Sequence, residues 1–161
     1  MQQFLKNSRL KSGVQAAQIE DLWEKIMGKT IAKYTDSIRI AGKPDLIATA
    51  DPMFRGDASL HNPEDLLLAA LSGCHLLTYL ALCARARINV LSYRDQAEGT
   101  LLLTKDGGGH FTEVVLRPEV VVAEEHMLEK ARFFHGEVHK YCFIARSVNF
   151  PVRCEALVRV A

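Results

Sequence analysis

The sequence predicts an α+β domain, and three features of the 161-residue chain support this prediction. A long apolar segment with helix-end signals lies in the middle of the chain. A second segment with helical spacing lies nearer the C-terminus, and runs of β-branched residues lie before, between and after the two. Strands grouped around two helices are typical of the α+β class. Because 48% of the residues are apolar, enough for one sizeable core, we expect a single domain over residues 1–161.

The central segment, residues 62–87, carries the signals that begin and end a helix. Asn62 can cap the free N–H groups, Pro63 suits the first helical position, and Glu64 opposes the positive end of the helix dipole. No side chain in Leu66–Ala84 carries a fixed charge, and a helix that is apolar on every face must be buried all round. The run is long enough to cross a bilayer, but its polar side chains and the lack of a second such run favour a helix buried at a dimer interface.

The other elements follow from turn signals and from the spacing of apolar residues. Residues 1–30 are predicted to form an N-terminal extension, or a first strand or helix, and the local spacing favours an amphipathic helix over about 14–27. A second helix is predicted from Glu124 to Ala145, and strands are predicted at 35–40, 46–50, 93–104, 111–123 and 152–160. Gly42–Asp45 and Asp106–Gly109 are predicted turns, and Pro118 predicts a bulge or an edge position. The second helix is expected to break near Gly136 or after His139.

Charge and cysteine content narrow the classes of function. The formal net charge is +1 and no basic tract occurs, which argues against binding to nucleic acid or anionic lipid. The first residues lack an apolar signal-peptide core, so we expect a cytoplasmic protein. The four cysteines, Cys74, Cys83, Cys142 and Cys154, lie far apart, unlike the disulfide framework of a secreted domain.

Cys74 and Cys142 are the candidate reactive thiols. Each taken alone is equally consistent with a small buried hydrophobic side chain. If the two helices pack along their apolar faces, however, both thiols face one seam. One thiolate can then attack an oxidant, and the other can close a disulfide on the resulting sulfenic acid. Cys83 lies about 180° round the helix from Cys74, and Cys154 falls on the last predicted strand, so we expect both to serve packing.

A reactive thiolate needs a partner, because burial alone raises the pKa of a cysteine. Arg55, a lone cation in an apolar loop, is the candidate partner of Cys74, and Glu64 can hold its guanidinium in a bidentate ion pair. The alternatives are a solvated loop charge for Arg55 and helix capping for Glu64. Ten residues separate Glu64 from Cys74, which is about 15 Å along a straight helix. The site therefore needs either a kinked helix or an Arg55–Glu64 pair from the partner subunit of a homodimer.

The histidines offer two further hypotheses. His135, His139 and Cys142 have the spacing i, i+4, i+7, and together with Cys74 they could form a zinc set. No CxxC or HExxH motif accompanies them, so we expect no metal. A cysteine hydrolase that uses Cys74 would need His139 as its base, because the adjacent His75 points about 100° away on the helix. His139 and His75 can instead tune the thiols.

Two segments, NPEDLLLAALSGCHLLTYL and HGEVHKYCFIARSVNF, together resemble the OsmC/Ohr family of osmotically inducible and organic hydroperoxide resistance proteins. The resemblance covers roughly Arg55 to the C-terminus. It depends on the Asn-Pro-Glu start of the helix, the cysteine ten residues after that glutamate, and a second cysteine late in the following helical segment. The chain departs from the best-studied members at Cys-His in place of Cys-Phe, and at Cys-Phe-Ile-Ala in place of Cys-Pro.

The resemblance implies an OsmC-like fold, with two central buried helices wrapped by antiparallel β-sheets in an intertwined homodimer. It also implies a thiol-dependent peroxidase for organic hydroperoxides, and more weakly for hydrogen peroxide, with no cofactor. By position, Cys74 matches the peroxidatic cysteine, Cys142 the resolving cysteine, Arg55 the arginine that activates the thiolate, and Glu64 the carboxylate that orients it. The implied reductant is a dithiol, such as a lipoylated protein. The alternative is a non-enzymatic protein of this fold that binds apolar small molecules or acts in stress response.

Overall fold

The computed structural model describes residues 36–161, and the helix predicted over 14–27 lies outside this range. The described chain divides into two compact units. The first unit contains Leu68–Thr100 and Phe111–Ala161, and the second contains residues 36–67 and Leu101–His110. Two α-helices and eight strands within the described range confirm the predicted α+β class.

The secondary structure follows the predicted order, with the later strands subdivided. In chain order the elements are β1 (Asp36–Ile38), β2 (Leu46–Ala48), α1 (Pro63–Arg85), β3 (Val90–Arg94), β4 (Glu98–Leu103), β5 (Gly109–Leu116), β6 (Glu119–Val122), α2 (Leu128–Val138), β7 (Val152–Cys154) and β8 (Leu157–Val160). Short 3₁₀ helices occupy Pro52–Phe54, Glu125–Met127 and Ala145–Ser147.

Helix α1 begins and ends where the sequence predicts. At its N-terminus the side-chain oxygen of Asn62 accepts a hydrogen bond from the N–H of Asp65 at 2.8 Å, and the Asp65 carboxylate accepts one from the N–H of Asn62 at 3.3 Å. This reciprocal pair is a capping box. Beyond the C-terminus Arg87 has a φ of 57°, the left-handed conformation that ends many helices. The N–H of Ile88 then donates back to the carbonyl of Cys83 at 2.9 Å.

Helix α1 buries one stripe of its surface in the described chain, rather than its whole circumference. Its buried side chains are spaced four residues apart and are Leu71, His75, Tyr79 and Cys83. Leu77, by contrast, is 69% exposed. The expected burial all round is therefore not met within one chain, and the dimer that would cover the rest stays a prediction. By length and composition α1 could also cross a membrane, a test that the core helices of soluble proteins pass as well.

The core of the first unit is formed by both helices and a three-stranded sheet. The strand order is β3-β6-β8, with β3 antiparallel and β8 parallel to β6. The core side chains with almost no exposure include Tyr79 and Cys83 of α1, Val120 and Val122 of β6, and Ala131 and Val138 of α2. A second sheet has the order β4-β5-β7, in which β7 is parallel to β5. Each of these two sheets contains a parallel pair, so the sheets are mixed where antiparallel sheets were predicted.

The predicted strands at 93–104 and 111–123 are each divided in two, because the chain changes sheets near Asp95 and at Pro118. The Asp95 carboxylate accepts a hydrogen bond from the N–H of Arg117 at 2.7 Å, so this N–H binds a side chain instead of a neighbouring strand. Pro118 has no N–H to donate. These two features end one strand pairing and allow another to begin. The predicted final strand is likewise divided, and its halves β7 and β8 lie in different sheets.

Helix α2 is shorter than predicted. It ends at Val138, next to the expected break after His139, and no α-helix follows it in the described chain. The N–H groups of Tyr141 and Cys142 both donate to the carbonyl of Val138 at 2.9 Å, which tightens the chain into a turn. Cys142 therefore lies in a turn, and not on a helical face as its spacing indicated.

In the second unit, β1 and β2 form the predicted antiparallel hairpin. Gly42 in its turn has a φ of 74°, which glycine adopts without strain. The segment after β2 is the predicted loop, and Asp51 holds it in shape. The Asp51 carboxylate accepts hydrogen bonds from the N–H of Met53 at 2.8 Å and from the side-chain amide of Asn62 at 3.0 Å.

Candidate active site

The two candidate thiols come together in the first unit. Cys74 lies near the middle of α1 and Cys142 lies in the turn after α2, and their thiols are hydrogen-bonded to each other. Both cysteines are free thiols. The structure therefore brings together two residues that are distant in sequence, using a turn to place the second one.

The surroundings of Cys74 favour its thiolate. Burial alone would raise the pKa of Cys74. Hydrogen bonds from the Cys142 thiol, from the backbone N–H groups of Ile144 and Phe143 and from the Thr78 hydroxyl outweigh burial and lower this pKa below its usual value. The turn after α2 thus supplies both the second thiol and the amide donors that stabilise a negative charge on the first.

The pKa of Cys142 moves in the opposite direction. Burial and the hydrogen bond to Cys74 raise it to about 11, against the N–H groups of Ala145 and Ile144, which lower it. Cys142 is 2% exposed, whereas Cys74 is partly accessible. The pair therefore combines one accessible thiol that favours its thiolate with one buried thiol that keeps its proton. This division suits an attacking cysteine that is already a thiolate and a second cysteine that ionises only when it reacts.

Cys74 opens onto a cleft of about 670 Å³. The walls are mostly apolar and come from α1 and from the turn after α2; they include Leu77, Ala81, Leu82, Tyr141, Phe143 and Ile144. Arg85 adds a cation to the lining. The exposed fraction of Phe143 is 79%. The cleft can accommodate an apolar molecule whose polar end lies at the thiol.

Arg55 and Glu64, the predicted partners of the thiolate, belong to the second unit. Arg55 follows the 3₁₀ helix Pro52–Phe54 with a φ of 67°, and its N–H donates to the carbonyl of Pro52 at 3.0 Å. Glu64 lies in the first turn of α1, where its charge opposes the helix dipole. The action of both side chains on Cys74 stays a prediction, whether within one chain or across a dimer.

The histidine contacts differ from those predicted. Nε2 of His75 lies 3.0 Å from Nδ1 of His135, and both rings are buried. Burial lowers the pKa of His75 to about 4, against the charge of Asp95, which raises it. Burial, followed by the effect of His75, lowers the pKa of His135 to about 3. Both rings are therefore neutral at pH 7. His139 lies exposed at the C-terminus of α2, and its tuning role and that of His75 stay predictions.

The predicted roles of the other two cysteines have different outcomes. Cys83 is 1% exposed in the core, as expected for a packing residue. Cys154 does more than pack, because its sulfur lies 3.7 Å from Nε2 of His75 and 3.8 Å from Nδ1 of His135. Burial, followed by the charge of Asp95, raises the pKa of Cys154 to about 12. His135, which the zinc hypothesis grouped with His139 and Cys142, thus contacts Cys154.

Sequence reasoning missed several contributors to the site. Thr78 follows Cys74 by four residues on α1, a spacing that places two side chains on one helix face and could have revealed it. The N–H groups of Phe143 and Ile144 leave no trace in the sequence, because nearly every residue carries such a group. The contact of Cys154 with the histidine pair depends on long-range packing alone.

Comparison with known proteins decides the family. The family model described as OsmC-like protein matches residues 56–156. The chain belongs to the OsmC-like family. Among OsmC-like proteins of known structure, one of unknown function from Vibrio cholerae is 33% identical, with a TM-score of 0.70 over 76% of this chain and 84% of that one.

Two further matches extend the comparison. The uncharacterized protein YmaD of Bacillus subtilis is 25% identical over 104 residues, which are 62% of this chain and 69% of YmaD. An organic hydroperoxide resistance protein OsmC from Legionella pneumophila, also described as a predicted redox protein, is 17% identical. Its TM-score is 0.58 over 79% of this chain and 97% of that one, a likeness of fold. The predicted family and fold are confirmed.

Proposed function

We propose that this protein is a thiol-dependent peroxidase that reduces organic hydroperoxides, and hydrogen peroxide more weakly. The observation that carries the proposal is the hydrogen-bonded thiol pair, in which accessible Cys74 favours its thiolate and buried Cys142 keeps its proton. Membership of the OsmC-like family supports it, as does the name of the structurally similar Legionella protein.

The reaction has two chemical steps and a reset. The Cys74 thiolate attacks one oxygen of the hydroperoxide, so that a sulfur–oxygen bond forms, the O–O bond breaks, and the alkoxide takes up a proton and leaves as the alcohol. The sulfur of Cys142 then attacks the Cys74 sulfenic acid, which forms a disulfide and releases water. A dithiol, such as a lipoylated protein, reduces this disulfide and supplies the two electrons that the hydroperoxide consumed.

The cleft selects the substrate in this proposal. Apolar walls beside Cys74, including Leu77 and Phe143, favour hydroperoxides that carry a fatty or aromatic group. Arg55 would stabilise the thiolate and the departing oxygen, and Glu64 would orient Arg55. The chemistry needs no metal or organic cofactor. We propose that the active form is a homodimer, because α1 leaves much of its apolar surface uncovered in one chain. We also propose that it acts in the cytoplasm, where thiols are kept reduced.

The decisive measurement is turnover of cumene hydroperoxide with a dithiol reductant, compared between the unchanged protein and Cys74→Ser. We expect kcat/KM to fall at least about a thousandfold, because the substitution removes the nucleophile. Cys83→Ser is the matched control, since Cys83 lies on the same helix but outside the cleft, and it should keep its activity. Full activity in Cys74→Ser would refute the proposal.

A second candidate function is non-enzymatic binding of apolar small molecules, which the volume and lining of the cleft favour. Mass spectrometry after one equivalent of cumene hydroperoxide distinguishes the two functions. Loss of two hydrogens, mapped to a Cys74–Cys142 peptide, supports the peroxidase. An unchanged mass supports the binding protein, provided that the double variant Cys74→Ser, Cys142→Ser binds an apolar ligand as tightly as the unchanged protein.

A further inference from the structure

A cluster of His75, His135 and Cys154 has no part in the proposed peroxidase reaction, although Cys142 borders the same small cavity. Its donor atoms are Nε2 of His75, Nδ1 of His135 and Sγ of Cys154, and all three lie within 4.8 Å of one another. We propose that these three side chains bind a zinc ion, with a water molecule as the fourth ligand. The sequence predicts no metal, because no CxxC or HExxH motif accompanies its histidines and cysteines.

The distances between the donor atoms are close to those around a tetrahedral zinc ion. Zn–N bonds of 2.0–2.1 Å and Zn–S bonds near 2.3 Å imply N···N separations of about 3.3 Å and N···S separations of about 3.6 Å. The observed separations are 3.0 Å between the nitrogens, and 3.7 and 3.8 Å from the sulfur to each nitrogen. In the plane of the three atoms, the point equidistant from them lies about 2.0 Å from each, so an ion slightly above this plane would lie at about bond length from all three.

The fold holds these donors in place without a metal. They come from three different elements, α1, α2 and β7. His75 and His135 are 5% and 6% exposed. The ring of His135 stacks on Tyr79 with a centroid distance of 4.0 Å, and it is nearly parallel to the ring of His75, at an interplanar angle of 12°. Side chains fixed in this way lose little further entropy when they bind an ion.

The space and the charge around the cluster also suit a cation. A cavity of about 30 Å³ borders all three donor residues, which is room for a water ligand. Nε2 of buried His135 has no hydrogen-bond partner among residues 36–161, so the cluster contains a buried polar group that a water in this cavity could satisfy. The Asp95 carboxylate acts electrostatically on both His75 and Cys154. Zinc bound by the Cys154 thiolate beside Asp95 would leave the local charge balanced.

Zinc binding would tie together the elements that carry the candidate thiols, without using those thiols. The Zn–S bond forms as the Cys154 thiol loses its proton to solvent, and the imidazole nitrogens bind as neutral donors. Because α1 carries Cys74 and α2 leads into the turn that carries Cys142, the ion would stabilise the scaffold of the peroxidase site. The three protein ligands leave the water position open to exchange.

Zinc binding is best measured in the full chain that carries Cys74→Ser and Cys142→Ser. In this parent protein the peroxidase thiols are absent, so the result does not depend on the proposed function. After reduction and treatment with a chelator, added zinc should remain at one equivalent per chain after desalting, as measured by elemental analysis. Cobalt(II) added instead of zinc should produce a thiolate-to-cobalt charge-transfer band.

Cys154→Ser in the parent should abolish the cobalt band. It should also weaken zinc affinity, measured by competition with a chromophoric chelator, by more than the roughly 10–100-fold that loss of an outer-shell partner costs. Cys83→Ser, which changes another buried cysteine, should leave the affinity unchanged and is the matched control. Zinc should also raise the Tm of the parent itself, a readout that does not require any further variant to fold. Failure of the parent to retain zinc, an unchanged Tm, or equal affinity in Cys154→Ser would each overturn the proposal.

Discussion

The two cysteine sites of the first unit differ in most of the properties that set thiol reactivity. Cys74 is partly accessible at an apolar cleft, and amide and thiol donors surround its sulfur. Cys154 lies against two imidazole rings, and burial and the charge of Asp95 raise its pKa to about 12. The first site is built to stabilise a negative sulfur by hydrogen bonds. The second offers a negative sulfur the N–H of Ala156, but burial and the charge of Asp95 outweigh this donor, and a bound cation would supply the missing support.

The difference shows that reactivity follows from the neighbours that the fold supplies. Both cysteines lie in regular secondary structure, Cys74 in α1 and Cys154 in β7. A turn brings the N–H groups of Phe143 and Ile144 to the first sulfur, whereas a change of sheet places Asp95 near the second. Predictions that separate the two sites therefore test whether these neighbours have the effects assigned to them.

The largest expected difference is in catalytic turnover. Cys142→Ser removes the resolving thiol, so Cys74 should be oxidised once and then stall as a sulfenic acid or overoxidise. We expect its steady-state turnover of cumene hydroperoxide to fall at least about a hundredfold. Cys154→Ser, assayed under conditions where it is folded, should keep its turnover within about twofold, because this thiol takes no part in the reaction. A comparable loss in both variants would contradict the separation of the two sites.

A smaller difference is expected in alkylation at pH 7 of the metal-free, reduced protein. Hydrogen-bond donors lower the pKa of Cys74 below its usual value, whereas burial and the charge of Asp95 raise the pKa of Cys154 to about 12, so Cys154 has a far smaller thiolate fraction. Its greater intrinsic nucleophilicity offsets only about half of this difference on a logarithmic scale. Iodoacetamide should therefore modify Cys74 at least about ten times faster, as followed by peptide mass spectrometry. Equal rates would show that the amide donors do not stabilise the Cys74 thiolate.

The cleft gives a third and weaker contrast. Phe143→Ala removes an aromatic wall beside Cys74, and loss of about 1.4 kcal/mol of apolar contact corresponds to about a tenfold rise in KM for cumene hydroperoxide. The KM for hydrogen peroxide should not change, because that substrate has no apolar group. Phe133→Ala, which removes an exposed ring outside the cleft, is the matched control. A rise for both substrates would mean that Phe143 positions the turn and does not contact the substrate.

The smallest expected effect comes from Asp95→Asn. This change removes the negative charge that opposes ionisation of Cys154, so the pKa of Cys154 should fall and its alkylation should become about two to five times faster. The alkylation rate of Cys74 should stay the same, because Asp95 is not among the groups that shift its pKa. The substitution keeps one oxygen, which can still accept from the N–H of Arg117, and its NH2 group replaces the oxygen at Ser72 and can donate to that hydroxyl. An unchanged alkylation rate at Cys154 would show that the charge of Asp95 does not raise the pKa of this thiol.

Local signals predicted much of the fold. Asn62 and Pro63 begin α1 as expected, and the turn at Asp106–Gly109 joins β4 to β5. Pro118 predicts an interruption, but no local signal indicates that the chain changes sheets there. That change depends on the Asp95 carboxylate. Asp95 follows β3, and its carboxylate accepts a hydrogen bond from the N–H of Arg117, which follows β5. Capping and turn preferences act over a few residues, so they can be read from the sequence.

The candidate site was predictable in part for the same reason. Residue type and family resemblance predict Cys74 and Cys142 as the reactive thiols, and the structure brings the two thiols together. The helical spacing that placed Cys142 on a helix face was misleading, since the chain tightens into a turn after Val138. The action of Arg55 and Glu64 on the Cys74 thiolate, within one chain or across a dimer, stays a prediction.

By itself the sequence determined the α+β class, the limits of the long helix, the OsmC-like family and the two thiols most suited to redox chemistry. Only the tertiary structure decided which donors surround each sulfur, and it placed Cys154 against a pair of histidines. The physical reason is the distance along the chain over which each interaction acts. Helix caps and turns depend on neighbours in the chain, whereas the pKa of a thiol and the assembly of a metal site depend on neighbours in space.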